Sequence, residues 1–400
     1  MDQAFHVLYL GRMSGGFMKH PNVKLLRAVG MMIGAIVGVG VFGLPYAFSQ
    51  SGTAIGLVWL LVIGGLLTLL QLMFAEVAIQ TPGKSRLVGL TARYLGRHMR
   101  WVTIVALSAG IWGAMLAYLI VGGRFLHLLL SPVFGGQELI YPIVIWAIAS
   151  YLIYRGLQFA AKLEVIVVLV LLFLFIFIIA LSLPSIDVAH YAAVLKPDYL
   201  LPYGVILFSL AGIGIVPEMA DVLGGERKKD LGRAVVIGMS IILLLYGLFA
   251  LAVVGVTGSE TTQTAFDGLI PAFGSSFGVI ATLLGSITII SIFMVLGIEM
   301  LNTLRFDFKL PHKTAWMVTV GVPLVLFLVG VREFIELVGF IGSVFGGTLG
   351  ILIALTYWKM RRSPVCVKHH CVNFPAPLTW ALITLFAGGV LVEVVPLLLN

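Results

Sequence analysis

The chain has 400 residues, 60% of them hydrophobic and only 10% charged, with a mean hydropathy of +1.11 and a formal net charge of +8. Soluble domains carry roughly 25% charged residues, so a water-soluble globule is excluded and a polytopic all-α membrane protein is expected. The two cysteines, Cys366 and Cys371, are too few for a disulfide framework.

A bilayer crossing needs about 20 mostly apolar residues. Eleven runs are predicted to cross, at 27–49, 54–80, 101–130, 139–155, 160–183, 202–222, 234–257, 277–303, 314–331, 334–358 and 377–398. Ahead of them, residues 1–26 carry Arg12, Lys19 and Lys24 but no apolar core with a small-residue cleavage site, which reads as an arm rather than a secretory leader. Residues 27–183 and 184–358 then form two units of five spans, 359–376 a loop, and 377–400 an added eleventh span. Orientation follows from Lys and Arg. With the amino terminus in the cytoplasm, 22 of the 25 fall on inner segments, and Arg124, Lys196 and Arg332 fall outside. The carboxyl terminus is then external, in a plasma membrane whose anionic lipid faces the basic loops. No nucleic-acid partner is needed to explain the charge.

Span one contains Gly34-Ala35-Ile36-Val37-Gly38-Val39-Gly40-Val41-Phe42-Gly43-Leu44-Pro45. Each interior Gly costs a helix about 0.8–1 kcal/mol relative to Ala, and Pro about 3. Free backbone groups are tolerated in a membrane only where they line a cavity or meet a ligand. A break at Gly38-Val39-Gly40 is therefore predicted, although the same glycines also suit close helix contact. Span six repeats the pattern as Gly212-Ile213-Gly214-Ile215-Val216-Pro217. Each unit holds five spans, an odd number, so the second enters from the opposite face and the halves form an inverted pair. Interrupted segments at matching places in inverted halves point to a transporter binding site.

The N–H groups that open a half-helix sit at its positive end and suit a carboxylate. The carbonyls closing the other half suit an ammonium or a small cation. Together they suit an α-amino acid and leave its side chain open. Ser209 and Ile213 of span six and Trp112, Met115 and Tyr118 of span three are candidate walls, with ordinary packing the alternative for the last three.

The stretch from Gly38 to Gly52 resembles the first span of the amino acid/auxin permease and aromatic amino acid permease branches of the amino acid–polyamine–organocation superfamily. Glu76 with Thr81-Pro82-Gly83-Lys84 and Tyr94-Leu95-Gly96 looks like their second-to-third span loop, and Leu201-Pro202-Tyr203-Gly204-Val205 through Glu218 like their sixth span. The resemblance implies a LeuT-type fold of five plus five inverted spans and amino acid uptake driven by Na⁺ or H⁺. On it, Gly38, Val39, Gly40, Ser209, Ala211, Gly212 and Ile213 form the substrate site. It also implies an ion between span one, near Val37, and the middle of span eight. There Ser286, Thr288 and Ser291 offer hydroxyls suited to a hard cation, Ser291 first among them, or else bond back to their own helix. Relatives that couple to protons through a span-five lysine find no counterpart in the apolar 167–174 region; Lys162 and Glu164 lie nearer the cytoplasm.

Other intramembrane charges are costly and often functional. Glu218 is expected to cap the inner half of span six, take a proton, or both. Glu76 and Glu299, near the inner ends of spans two and eight, are expected to snorkel or to pair with loop Lys and Arg, and Arg124 and His127 to form an outer gate or an interfacial anchor. The run from Cys366 to Cys371 holds metal-ligand residue types at a spacing unlike a zinc module, so no metal is expected there. No cofactor, obligate protein partner or enzyme chemistry is indicated. The functional expectation is an amino acid symporter working by alternating access; the alternative is a non-transporting sensor with the same fold.

Overall fold

The computed structural model describes residues 21–83, 85–155, 160–192, 196–224, 230–306, 308–364, 366, 372 and 374–399. Span one is divided into α1 (Pro21–Ile36), a 3₁₀ stretch Val39–Gly43 and α2 (Leu44–Ser51). Gly52, at φ 91° where L side chains are strained, turns the chain directly into α3 (Thr53–Gln80), the second span. A short helix α4 (Leu87–Leu95) precedes the third span, α5 (Arg97–Phe134). Spans four and five are α6 (Ile140–Arg155) and α7 (Ala160–Ser182). Span six is α8 (Leu201–Ser209) and α9 (Val216–Leu223), separated by an irregular turn and a 3₁₀ stretch Ile213–Ile215. After α10 (Leu231–Thr257) come α11 (Phe266–Phe273), α12 (Ser275–Phe306) and α13 (His312–Leu328). Span ten is α14 (Phe334–Phe340), a π-helical segment Ile341–Gly346 and α15 (Gly347–Arg361); α16 (Ala376–Leu399) follows.

Among the described residues, eight helices are long and apolar enough to cross a bilayer, or nine if the two halves of span one count as one crossing. α6 and α13 are apolar but shorter, at 16 and 17 residues. At about 1.5 Å per residue each covers roughly 24–26 Å, a little less than the ~30 Å hydrocarbon core. They lie side by side, and each supplies a tryptophan to the other. Trp146 Nε1 donates to Val320 O at 2.8 Å, and Trp316 Nε1 donates to Ser150 O at 2.9 Å.

Turn contacts sort the chain ends onto two faces. On one, rich in Lys and Arg, Lys24 Nζ donates to Leu223 O at 3.5 Å and the Val372 N–H donates to Glu76 Oε1 at 3.1 Å. On the opposite face the Asp198 N–H donates to Gln50 O at 3.1 Å, and Trp59 Nε1 to Tyr199 O at 2.7 Å. Glu76, expected to meet loop Lys or Arg, instead accepts from Gln80 Nε2 at 2.9 Å and from Val372. It is buried, and the backbone donor supplies the partner a buried carboxylate needs.

α8 meets span ten backbone to backbone, with the Ser343 hydroxyl beside the contact. A Cβ on Gly342 would collide with Gly204 O and lie 2.7 Å from Phe208 N, and one on Gly204 would collide with Gly339 O. Backbone cannot swing aside as a side chain can. Gly342→Ala is expected to destabilise by about 1–3 kcal/mol, read as a lower melting temperature in detergent. Gly64→Ala meets only the Leu243 side chain and should shift it less; equal shifts would refute the backbone-contact account.

Candidate functional site

Both predicted breaks are present. In span one the helix ends at Ile36, Gly38 is extended at φ −149° and ψ −157°, and the axis bends by 57° across the interruption. In span six the helix ends at Ser209, Ala211 and Gly212 are irregular, and the two halves remain one apolar rod. Pro45 and Pro217 each occupy the second position of the following half-helix, where a missing N–H costs nothing. The breaks touch. A Cβ on Gly40 would lie 2.7 Å from both Cα and Oγ of Ser209, and one on Gly212 would collide with Ile36.

Two tyrosines from unbroken spans meet the freed backbone. Tyr118 of α5 accepts the Val39 N–H at 3.0 Å, at the start of the outer half of span one. Tyr246 of α10 directs its hydroxyl at Ile36 O, 3.1 Å away, and Ser209 O, 3.2 Å away, the closing carbonyls of α1 and α8. Both rings are buried. Tyr118, expected only as a wall with packing the alternative, thus also bonds the break. Tyr246 escaped the sequence reading altogether. Its signal was a tyrosine in the middle of an otherwise apolar span, away from the interfaces where Tyr concentrates.

The other predicted residues divide. Val37, Val39, Gly40 and Ser209 are buried, Gly38, Gly212 and Ile213 half-buried, and Ala211 exposed. Ser209 Oγ donates back to Val205 O at 2.7 Å, leaving its lone pairs directed away from its own helix. Met115 is buried, and the Trp112 indole N–H, also buried, has no hydrogen-bond partner. In α12, Thr288 bonds back to Leu284 O at 2.8 Å, whereas the buried hydroxyls of Ser286 and Ser291 lack partners. Back-bonding to the helix is thus seen at Thr288 but not at the two serines. Glu218 lies on the basic face, 3.5 Å from Arg86 Nε, which also meets Asp221 through Nη1 at 3.1 Å. The side chains of Lys162 and Glu164, and residues 367–371 of the cysteine tail, lie outside the described residues. Sequence reading also passed over Glu393 of α16, whose carboxylate accepts from Ser343 Oγ, in the π-helical segment, at 3.3 Å.

Above the breaks, towards the opposite face, five buried phenylalanines pack together. Phe42 meets Phe125, Phe175 and Phe266 at ring separations of 5.4, 5.7 and 5.0 Å, Phe125 stacks on Phe266 at 4.8 Å, and Phe175 meets Phe249 at 4.8 Å. Arg124 clamps this cluster, with Nε 2.7 Å from Asp267 Oδ2 and Nη1 2.8 Å from Glu138 Oε1. His127 does not join the clamp; its ring packs 5.0 Å from that of Tyr141. Ala265, immediately before α11, holds the unusual φ of 61°, so the segment presenting Phe266 and Asp267 is strained. Below the breaks, Ala35, Ala211 and Gly214 are exposed.

Paired helix interruptions inside a bundle of spans define a membrane transporter. The fold agrees: it matches the inward-facing conformation of Mhp1, a LeuT-fold transporter, with a TM-score of 0.68 and 14% identity, over 93% of this chain and 88% of that one. Among curated proteins the chain is 25% identical to Tyrosine-specific transport system 1 of Haemophilus influenzae, over 85% of this chain and 89% of that one. It is 20% identical to Glutamine transporter 2 of Aliivibrio fischeri, over 81% and 86%. The chain belongs to the tryptophan/tyrosine permease family, whose model matches residues 22–395. It is a permease and not an enzyme.

Removing the Arg124 clamp should loosen the cover. With Cys366 and Cys371 replaced by Ser, a Phe208→Cys reporter is expected to react faster with a membrane-impermeant thiol reagent added to the opposite face once Asp267→Asn is introduced. An unchanged rate would show that the clamp does not hold the path shut.

Proposed function

We propose that this protein is an ion-coupled symporter that imports an amino acid, with an aromatic side chain preferred, by alternating access. The observation that carries the reading is the adjacency of the two breaks, with a helix-opening N–H and two helix-closing carbonyls converging beside Gly38, Val39, Gly40, Ser209, Ala211, Gly212 and Ile213. The substrate carboxylate is taken by the N–H side and its ammonium by the carbonyl side. Trp112, Met115 and Phe208 offer an apolar wall, and the unpartnered Trp112 N–H offers one donor to a side-chain hydroxyl or amide. The names of the relatives, a tyrosine and a glutamine transporter, bracket this choice.

An arrangement of eleven crossings as five plus five inverted spans and one more, divided at 27–183, 184–358 and 377–400, is part of the proposal. Support comes from equivalent members packing as pairs: span one on span six, α5 along α12, and α6 along α13. The coupling ion, Na⁺ or H⁺, is assigned to the region between Val37 and α12, with Ser291 ahead of Thr288 because its buried hydroxyl is unpartnered. Glu218 is assigned to the basic-face closure through Arg86. The amino terminus is placed in the cytoplasm of a plasma-membrane protein by the Lys and Arg bias. No observation favours the sensor alternative; the relatives named above are transporters.

Purified protein in liposomes is expected to accumulate tyrosine, tryptophan or phenylalanine under an inward Na⁺ or H⁺ gradient, and to melt at a higher temperature when one is added, because a ligand of the folded state stabilises it. Flux that neither saturates nor responds to any gradient would defeat the reading. Gly40→Ala, which forces spans one and six apart, should abolish the amino acid-induced shift in melting temperature while leaving insertion intact. If Na⁺ is the ion, Ser291→Ala weakens its stimulation of uptake; full stimulation in that variant would move the ion site elsewhere.

A further inference from the structure

The carbonyl side of the paired breaks is already occupied by a neutral donor. α1 and α8 both end at mid-membrane, and each carries about half a negative charge at that end from its aligned peptide dipoles. Their last carbonyls, Ile36 O and Ser209 O, lie 3.1 and 3.2 Å from one atom, the hydroxyl oxygen of Tyr246. The ring carrying it is fully buried and belongs to α10, which is itself unbroken. Two like-signed helix ends would repel across a gap this small in a medium of low dielectric. A shared hydroxyl proton is the only donor the described residues bring to both of them.

We infer that Tyr246 is a specificity-determining and positioning residue whose hydroxyl proton fills the place of an inorganic cation between the two helix ends. With it present, the carbonyl side answers only to an organic ammonium approaching the remaining lone pairs. With it removed, two backbone oxygens at negative helix ends face a gap one hydroxyl wide, with the Gly38 N–H at its edge, the beginning of an oxygen cage for a small hard cation completed by water. Tyr118 supplies the contrast. It accepts from Val39 N–H, so its loss orphans a donor without uncovering the two carbonyls that Tyr246 meets. The inference deepens the proposed function, because it assumes that the substrate's ammonium meets these carbonyls.

The experiment compares wild type, Tyr246→Phe, Tyr246→Gln and Tyr118→Phe, purified and held in choline chloride, NaCl or LiCl. Without amino acid, Na⁺ or Li⁺ should raise the melting temperature of Tyr246→Phe by more than it raises that of wild type. Any coupling-ion site near Ser291 contributes equally to both and cancels. Tyr118→Phe should keep the wild-type cation response, and Tyr246→Gln, whose amide restores a donor, should return towards it. The amino acid concentration giving half the maximal rise in melting temperature should increase roughly tenfold for Tyr246→Phe in choline, the worth of one buried hydrogen bond, and recover towards the wild-type value in NaCl. A Tyr246→Phe protein with wild-type amino acid affinity in choline and wild-type cation response overturns the inference, as does one that unfolds in every salt. If wild type shows no amino acid-induced stabilisation, the proposed function fails, while the amino acid-free cation comparison still decides the role of Tyr246.

Discussion

An interrupted helix in hydrocarbon has to find partners for the peptide groups it releases, and that requirement governs how these spans are arranged. Leaving one such group unmet costs about 1–3 kcal/mol in a protein interior. Here the partners are Tyr118 and Tyr246, projecting from α5 and α10 onto Val39, Ile36 and Ser209. Neither tyrosine can reach unless spans three and seven flank spans one and six. The local defect therefore dictates a global neighbourhood. It also explains why Gly38, Gly40 and Gly212 must lack side chains: the space beside them belongs to Tyr118, Ser209 and Ile36.

The two sides of the breaks are built differently. Phe42 lies in the same 3₁₀ stretch that begins at Val39, so whatever happens to the Val39 N–H is transmitted within one turn to the centre of the aromatic cover. That cover draws on five elements and is held laterally by Arg124 between Asp267 and Glu138. On the other side Ala35, Ala211 and Gly214 stand exposed with small or absent side chains. The two sides of the breaks thus differ in kind, dense aromatic packing on one and small exposed residues on the other.

Much of this was legible without coordinates because the relevant forces are local. Glycine and proline act on their own helix, so both interruptions fell where Gly38 and Gly212 announced them, and the apolar runs coincide with helices, eight or nine of them long enough to cross a bilayer among the described residues. The shortfalls come from contacts that no local pattern encodes. Glu76 found a backbone N–H 296 residues away rather than a loop cation. α4 and α11 are too short and too dependent on docking to register as periodic segments. The π-helical turn in span ten arises where α8 packs against it, through Gly204 and Gly342. Arg124 could be flagged as an outer-face cation, but its two carboxylate partners lie 14 and 143 residues along the chain.

The bare contact between Gly204 and Gly342 reaches beyond this one molecule. When two side chains touch, a larger residue on one side can be offset by a smaller one on the other, and such exchanges leave correlated columns in an alignment. Peptide oxygen facing Cα offers nothing to trim. This seam between spans six and ten is therefore mute to covariation, and contact maps inferred from correlated change will underestimate how closely the two spans are joined.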